Sequence, residues 1–233
     1  MKKITVNLSF YNQNEILIKQ VKSWKSWEKE IRDQFSFCIV DDCSKSPALK
    51  VLNELDISDI DLSILRVKED LYCNIAGVRN LSAQECNTDW MVILDMDTFI
   101  SENLARNMLR LSSTDRKGVC FKFNRTVPFD PQHEKNGQPH PAVCLIRVED
   151  YWNIGGCEED LVGHYGWTDP SFWYRSIGKI HAYTYMDLFL DYIPEGEADI
   201  DRDNSHNKKL YEHKKVSGDW STDFVRFEWE KQK

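Results

Sequence analysis

Trp90-Met91-Val92-Ile93-Leu94-Asp95-Met96-Asp97-Thr98-Phe99-Ile100 is the stretch on which the reading of the chain turns. Its unbroken apolar run, Trp90 to Leu94, bounded by polar residues, has the form of a strand buried on both faces in a parallel sheet. Strand alternation sends Asp95 and Asp97 to the same side, where the strand runs out. In open α/β sheets, ligands bind at the carboxyl ends of strands. Two carboxylates there repel one another, and a divalent cation with hard oxygen ligands is a natural counter-charge. Asp-x-Asp is also common by chance. In the alternative reading Asp97 caps a helix following Thr98 and Asp95 is a solvated strand end.

The flanking sequence supplies the sheet. Ile4 to Phe10, Phe35 to Val40, Leu62 to Val67 and Trp90 to Leu94 read as strands. The stripe Leu17, Val21, Trp24, Trp27 and Ile31 reads as one amphipathic helix. Ser46 at N-cap and Pro47 at N1 open a helix Ala48 to Leu55, and Ala76 to Cys86 reads as a further helix. These are consecutive βαβ units, hence an α/β fold with a mostly parallel sheet flanked by helices. Neither Gly-x-Gly-x-x-Gly nor a Walker-type Gly-Lys-Ser/Thr follows the first strand.

Downstream, Glu102 to Leu111, Glu149 to Asn153, Pro170 to Ser176 and Ser205 to Lys214 read as helical. Gly118 to Phe123 and Val143 to Arg147 read as strands, and Tyr183 to Tyr192 as mixed apolar structure. The proline-rich stretch Pro128 to Pro141 reads as a long functional or mobile loop. No repeat or low-complexity linker marks a boundary. The expectation is one domain over 1–233 with two functional halves, 1–100 and 101–233.

At 41% hydrophobic and 29% charged residues the composition is that of a soluble globular protein. Thirty Lys and Arg against 38 Asp and Glu give a formal charge of −8, which argues against binding nucleic acid by phosphate neutralisation. Seven cysteines without a Cys-x-x-Cys pair point to a reduced, cytoplasmic protein with neither disulfide framework nor zinc site. Met1-Lys2-Lys3 enters the first strand without a signal-peptide core. No apolar stretch approaches a membrane span, so any membrane contact is expected to be peripheral.

Three further constellations carry chemistry. Asp41-Asp42 with Ser44 sits where the second strand ends; a carboxylate there accepts from a uracil imide or a ribose, or serves an Asx turn before the next helix. Arg79-Asn80 offers a guanidinium fork for a diphosphate, or a surface salt bridge with Glu85 or Asp89. Gly155-Gly156, then Glu158-Glu159-Asp160, then Trp167-Thr168-Asp169, joins backbone freedom, an aromatic face and acids. Asp169 is placed to act as general base towards a hydroxyl, and Asp169-Pro170 also has the form of a helix cap. His164, His181, His206 and His213 carry less information.

The ordered set Phe10-Tyr11-Asn12, Asp41-Asp42-Cys43-Ser44, Arg79-Asn80, Asp95-Met96-Asp97, Gly155-Gly156 and Trp167-Thr168-Asp169 resembles the GT-A glycosyltransferases of inverting family 2. The segment from Gly-Gly to Trp-x-Asp is also similar to the carboxyl-terminal motif of β-1,4-galactosyltransferases and polypeptide N-acetylgalactosaminyltransferases. The likeness covers roughly residues 3 to 176. It implies a GT-A fold and transfer of a sugar, from a UDP-sugar above all, to a hydroxyl of a glycan, lipid-linked or protein acceptor. Tyr11, Asp41, Arg79 and Asp95 would bind the donor, and Asp97 would hold Mn²⁺ or Mg²⁺. Asp169 would be the base, with Trp167, Glu159 and Asp160 in the acceptor or sugar site.

Two departures stand out. Thr168 takes the place of the first acid of the Glu-Asp pair, which leaves Glu158, Glu159 and Asp160 as rival bases. A downstream histidine ligand has no clear counterpart, and His206 is the choice over His181. Two other functions stay in view. A sugar-nucleotide nucleotidyltransferase also uses paired aspartates, though Ser9 to Asn14 lacks its glycine-rich basic loop. A catalytically inactive GT-A module would bind a sugar nucleotide or glycan without turnover.

Overall fold

The structure, a computed structural model, describes residues 3–114, 116–194 and 200–233. Met1 and Lys2, which lead into the first predicted strand, lie outside the described residues. One mixed sheet organises the chain. Its strands are β1 (Ile4–Phe10), β2 (Phe35–Asp41), β3 (Leu62–Val67), β4 (Trp90–Leu94), β5 (Thr98–Phe99), β6 (Val119–Thr126), β7 (Pro139–Arg147), β8 (His181–Tyr192) and β9 (Trp229–Lys231). They lie in the order β5-β8-β6-β7-β4-β1-β2-β3-β9. The expected parallel pairing holds across β3-β2-β1-β4. Beyond it β7 runs antiparallel to both β4 and β6, and β9 antiparallel to β3.

The helices are α1 (Asn14–Lys25), α2 (Lys29–Arg32), α3 (Ala48–Val51), α4 (Ile75–Gln84), α5 (Glu102–Ser112), α6 (Val148–Ile154), α7 (Thr168–Ser176) and α8 (Ser205–Ser217). The stripe expected to form one helix is divided between α1 and α2. Trp24 and Trp27 are both buried and reach the sheet in different ways: Trp24 stacks on Phe37 at 4.6 Å, and Trp27 meets Phe35 edge-on at 5.2 Å. Burial of these rings, not helix continuity, fixes the path. The helix expected over Ala48 to Leu55 is a single turn, and Pro47, with ψ 140°, is its N-cap rather than its first helical residue.

After β4 no helix begins at Thr98. Thr98-Phe99 is β5, paired with β8, and α5 begins only after Ser101, whose Oγ accepts from Leu104 N at 3.2 Å. Asp97 therefore caps no helix. The end of the predicted loop, Pro139-His140-Pro141, is the start of β7.

Candidate active site

At the carboxyl ends of β1, β2 and β4 lies a cleft of about 670 Å³, the volume of a small-molecule site. Tyr11, Asp42, Arg79, Asp95, Asp97, Arg125, His140, Trp167 and Asp169 all line it.

Arg79 organises its floor. It sits on α4 and is 6% exposed, so the surface pairing with Glu85 or Asp89 does not occur. Its Nη2 donates to Asp95 Oδ1 at 2.8 Å and its Nη1 to Asp169 Oδ1 at 2.7 Å. Burial alone would weaken the guanidinium's hold on its proton, but the two carboxylates more than offset this and raise its pKa. Burial likewise works against ionised Asp95, yet Arg79 and then His140 hold that carboxyl below its ordinary range. With both ends of its fork occupied, Arg79 is a spacer between two acids rather than an open diphosphate clamp.

Asp169 arrives here because of the backbone before it. Trp167 caps α7 in the left-handed region at φ 65°, a conformation uncommon for a bulky residue and found where a site imposes it. Thr168 is the first helical residue and Asp169 the second, so Asp169 is not the N-cap. Among the described residues Asp169 Oδ2 has no protein donor, which leaves it to face the cleft. Trp167 is half-buried, with one face stacked on Tyr211 at 4.9 Å.

Asp97 stands at the mouth of β4. The turn that carries it is pinned from behind by Gln20, fully buried on α1, whose Nε2 donates to Met96 O at 3.2 Å and Thr98 O at 2.6 Å. Thr98 N closes the turn onto Asp95 O at 3.1 Å. Gln20 escaped sequence reading, although a polar residue in the Leu17-Val21-Trp24 stripe was a signal.

Asp95, Asp97 and His140 bring one ligand atom each within 4.8 Å of one another. The two carboxylates suit a hard divalent cation. His140 does so less well. Its Nδ1 accepts from Ala142 N at 3.2 Å and Val143 N at 3.1 Å, which keeps the ring proton on Nε2, 3.6 Å from Asp97 Oδ1. A metal on Nε2 would drive that proton to Nδ1, where two N–H groups already point. His140 Nε2 thus faces Asp97 Oδ1 from beyond hydrogen-bond range, and the aspartates are the part of the set that could hold a cation. His206, expected as a ligand, lies on α8 stacked against His164 at 3.8 Å.

At the Tyr11 end of the cleft one expected role changes hands. Asp41, expected to contact the donor, is fully buried and faces away. It accepts from Ser44 N and Ala48 N, both at 2.8 Å, and pairs with Arg66, which is the Asx-turn use of the motif. Asp42 lines the cleft in its place. Burial pushes its carboxyl up to about 6, although Asn74 Nδ2, donating at 3.2 Å, favours the ionised form. Tyr11 also lines the cleft, its hydroxyl donating to Asp70 Oδ2 at 3.1 Å.

The acids after Gly155-Gly156 turn away from the cleft. Glu158 accepts from Ser221 N at 3.0 Å, and Glu159 from Asn80 Nδ2 at 2.7 Å and from Val225 and Arg226 N at 2.7 and 3.2 Å. Asp160 pairs with Lys214 at 2.6 Å and Arg226 at 2.7 Å; against its partial burial, these cations keep its pKa low. Glu159 and Asp160 are therefore structural rather than sugar-binding, and the rival bases are occupied elsewhere. The glycines serve the same anchoring. Gly156, at φ 62°, passes so near Asn80 that a Cβ would lie 2.8 Å from its Oδ1. Asn80 accepts there from Cys157 N at 2.8 Å and Tyr151 hydroxyl at 2.6 Å.

The family model described as glycosyl transferase family 2 matches residues 5–160. No match is found among curated protein sequences. Solved structures share the fold. S. aureus TarS (residues 1–349, in complex with UDP-GlcNAc) aligns with a TM-score of 0.69 at 11% identity, over 94% of this chain and 68% of that one. The mannosyltransferase PcManGT from Pyrobaculum calidifontis, in complex with GDP-Man and Mn²⁺, gives 0.63 at 15% identity, over 92% and 61%. The catalytic domain of Drosophila β1,4-galactosyltransferase 7, in complex with xylobiose, gives 0.59 at 12%, over 91% and 80%. This chain thus spans about two thirds of TarS 1–349 and rather less of the mannosyltransferase. Among the described residues no helix is long and apolar enough to cross a membrane.

Proposed function

The chain belongs to glycosyl transferase family 2, and from that premise we propose that it transfers a sugar from a nucleotide-sugar donor, a UDP-sugar first, to an acceptor hydroxyl with inversion at the anomeric carbon. The observation that carries the reading is the Asp95–Arg79–Asp169 bridge. It sets the carboxylate on α7 and the aspartate pair after β4 on either side of one guanidinium, within one cleft.

In this reading the nucleoside lies against Tyr11, Asp42 and Asn74, and the diphosphate by Asp95 and Asp97. Asp169 Oδ2 takes the proton of the attacking hydroxyl while Oδ1 stays on Arg79, which keeps the carboxylate aimed. Trp167 offers its ring to the sugar or acceptor. Asp97 and Asp95 would hold Mn²⁺ or Mg²⁺, which when bound stabilises charge on the departing diphosphate. His140 Nε2 faces Asp97 Oδ1 at 3.6 Å, beside the aspartate pair. The Mn²⁺ in the mannosyltransferase and the UDP-GlcNAc in TarS support a metal and a nucleotide donor. The two belong to different nucleotides, so a donor screen covers UDP- and GDP-sugars.

The proposal takes the chain as one domain, with residues 1–100 serving the donor and 101–233 the acceptor, working in the cytoplasm on a glycan, lipid-linked or protein acceptor. The test is turnover or hydrolysis of a nucleotide-sugar panel with Mn²⁺. Wild type is expected to turn over at least one donor, with Asp97→Ala and Asp169→Asn each slower by about a hundredfold or more. Wild-type rates in both variants would overturn the assigned roles. UDP binding without turnover on any acceptor would identify an inactive module.

A further inference from the structure

Arg125, on β6, is 7% exposed and lines the cleft, yet among the described residues no carboxylate lies within ion-pair distance of its guanidinium. Its Nε donates to Gln138 O at 3.4 Å, and its guanidinium lies over the Tyr192 ring at 5.5 Å. On that ring also sits Lys135 Nζ, 4.4 Å from the centroid. A buried cation without a carboxylate is expensive to keep, whereas Arg79, buried in the same cleft, has two. Such a group is retained where a ligand supplies the anion, and the planar guanidinium fork matches phosphate and carboxylate oxygens.

The sheet order says which part of the cleft this is. β6 lies beyond β7 and His140 as seen from β4, on the side opposite β1 and β2, whose ends carry Tyr11 and Asp42. The nucleoside end and Arg125 therefore flank Asp97 from opposite sides. We propose that Arg125 is an anion-binding residue on the acceptor side of the cleft, receiving a phosphate or carboxylate oxygen of the acceptor. Assigning that anion to an acceptor rests on the glycosyltransferase reading; the anion site itself does not.

The test uses the full chain as wild type, Arg125→Gln and Arg125→Lys, with inorganic phosphate and acetate as probes in calorimetry, before and after saturation with UDP or GDP and Mg²⁺. The expected result is saturable binding of at least one anion to nucleotide-loaded wild type. Arg125→Gln should weaken it by about tenfold or more, with partial recovery in Arg125→Lys. Affinity for the nucleoside diphosphate should change by less than about threefold. Because the guanidinium completes no ion pair in the fold, thermal unfolding of Arg125→Gln should match or exceed wild type.

Equal anion affinity in Arg125→Gln and wild type, or no saturable anion binding by wild type, overturns the proposal. So does a tenfold loss of nucleoside diphosphate affinity in Arg125→Gln, which would give the guanidinium to the donor. If wild type takes up no nucleoside diphosphate at all, the glycosyltransferase reading fails. The anion titrations of nucleotide-free protein still decide the site.

Discussion

Replacing Arg79 by methionine keeps most of the volume on α4 and removes the charge between Asp95 and Asp169. Those carboxylates, at 24% and 29% side-chain exposure, then face one another without a counter-charge. Breaking a buried ion pair by deleting one member costs about 3–5 kcal/mol, and the partial exposure of both acids puts the expected loss near the lower end, about 3 kcal/mol. For a domain of this length each kcal/mol lowers Tm by about 2–4 °C, so a fall on the order of 6–12 °C is expected. Urea unfolding at neutral pH, paired with scanning calorimetry, measures it. The companion variant Arg79→Met/Asp95→Asn/Asp169→Asn removes the stranded charges and should recover at least half of the loss. An exposed pair would be worth at most about 1 kcal/mol and would fade with salt. A loss below that value, or a triple variant no more stable than Arg79→Met, would falsify the picture of a buried bridge.

Gln20→Leu strands two buried carbonyls and is expected to cost on the order of 2 kcal/mol in urea unfolding. It should also weaken Mn²⁺ binding severalfold, and unchanged metal affinity would detach Gln20 from the Asp95–Asp97 turn. His140→Gln keeps an N–H group facing Asp97 and should alter Mn²⁺ affinity, read by electron paramagnetic resonance with UDP present, by less than about threefold. His140→Leu should cost about tenfold. A tenfold loss with Gln would make His140 a direct ligand instead. Asp42, raised by burial from 3.8 to about 6, resists ionising in the fold; the stability it contributes is complete below its unfolded pKa and disappears as pH rises through about 6. Asp42→Asn should therefore be more stable than wild type at neutral pH, with the difference closing towards about pH 4. A constant difference across that range would remove Asp42 as its source.

The parallel strands were legible because each is a short apolar run ending in polar residues, and the aspartate pair followed from where β4 stops. Asp41 and Asp42 could not be told apart in the same way. β2 runs one residue past the expected Val40, through Asp41, and adjacent residues point to opposite faces. The choice therefore hung on a boundary that local pattern does not define. Glu158 and Glu159 looked free because their partners, Ser221, Val225 and Arg226, lie far along the chain in a stretch with no strong periodicity. His140 was hidden among prolines that read as loop but are the first residues of β7, the strand next to β4. Arg79 was found by residue type, whereas its partners emerge only when α4, β4 and α7 meet.

The antiparallel pairing of β9 with β3, together with the backbone N–H groups that residues 221–226 donate to Glu158 and Glu159, bears on the order of folding. The parallel strands up to Leu94 pair across at most 86 residues, Ile4 with Trp90, whereas β9 reaches β3 across 166, Lys231 with Leu65. The wall bearing Asp169 has no such early support. Two carboxylates at its base stay without these partners until residues 221–226 dock together with β9, whose pairing with β3 closes the longest of these loops and is slow. Maturation of the cleft should therefore lag behind formation of the sheet. Recovery of ligand binding during refolding would then trail the return of secondary structure, with docking of residues 221–231 as the step that separates them.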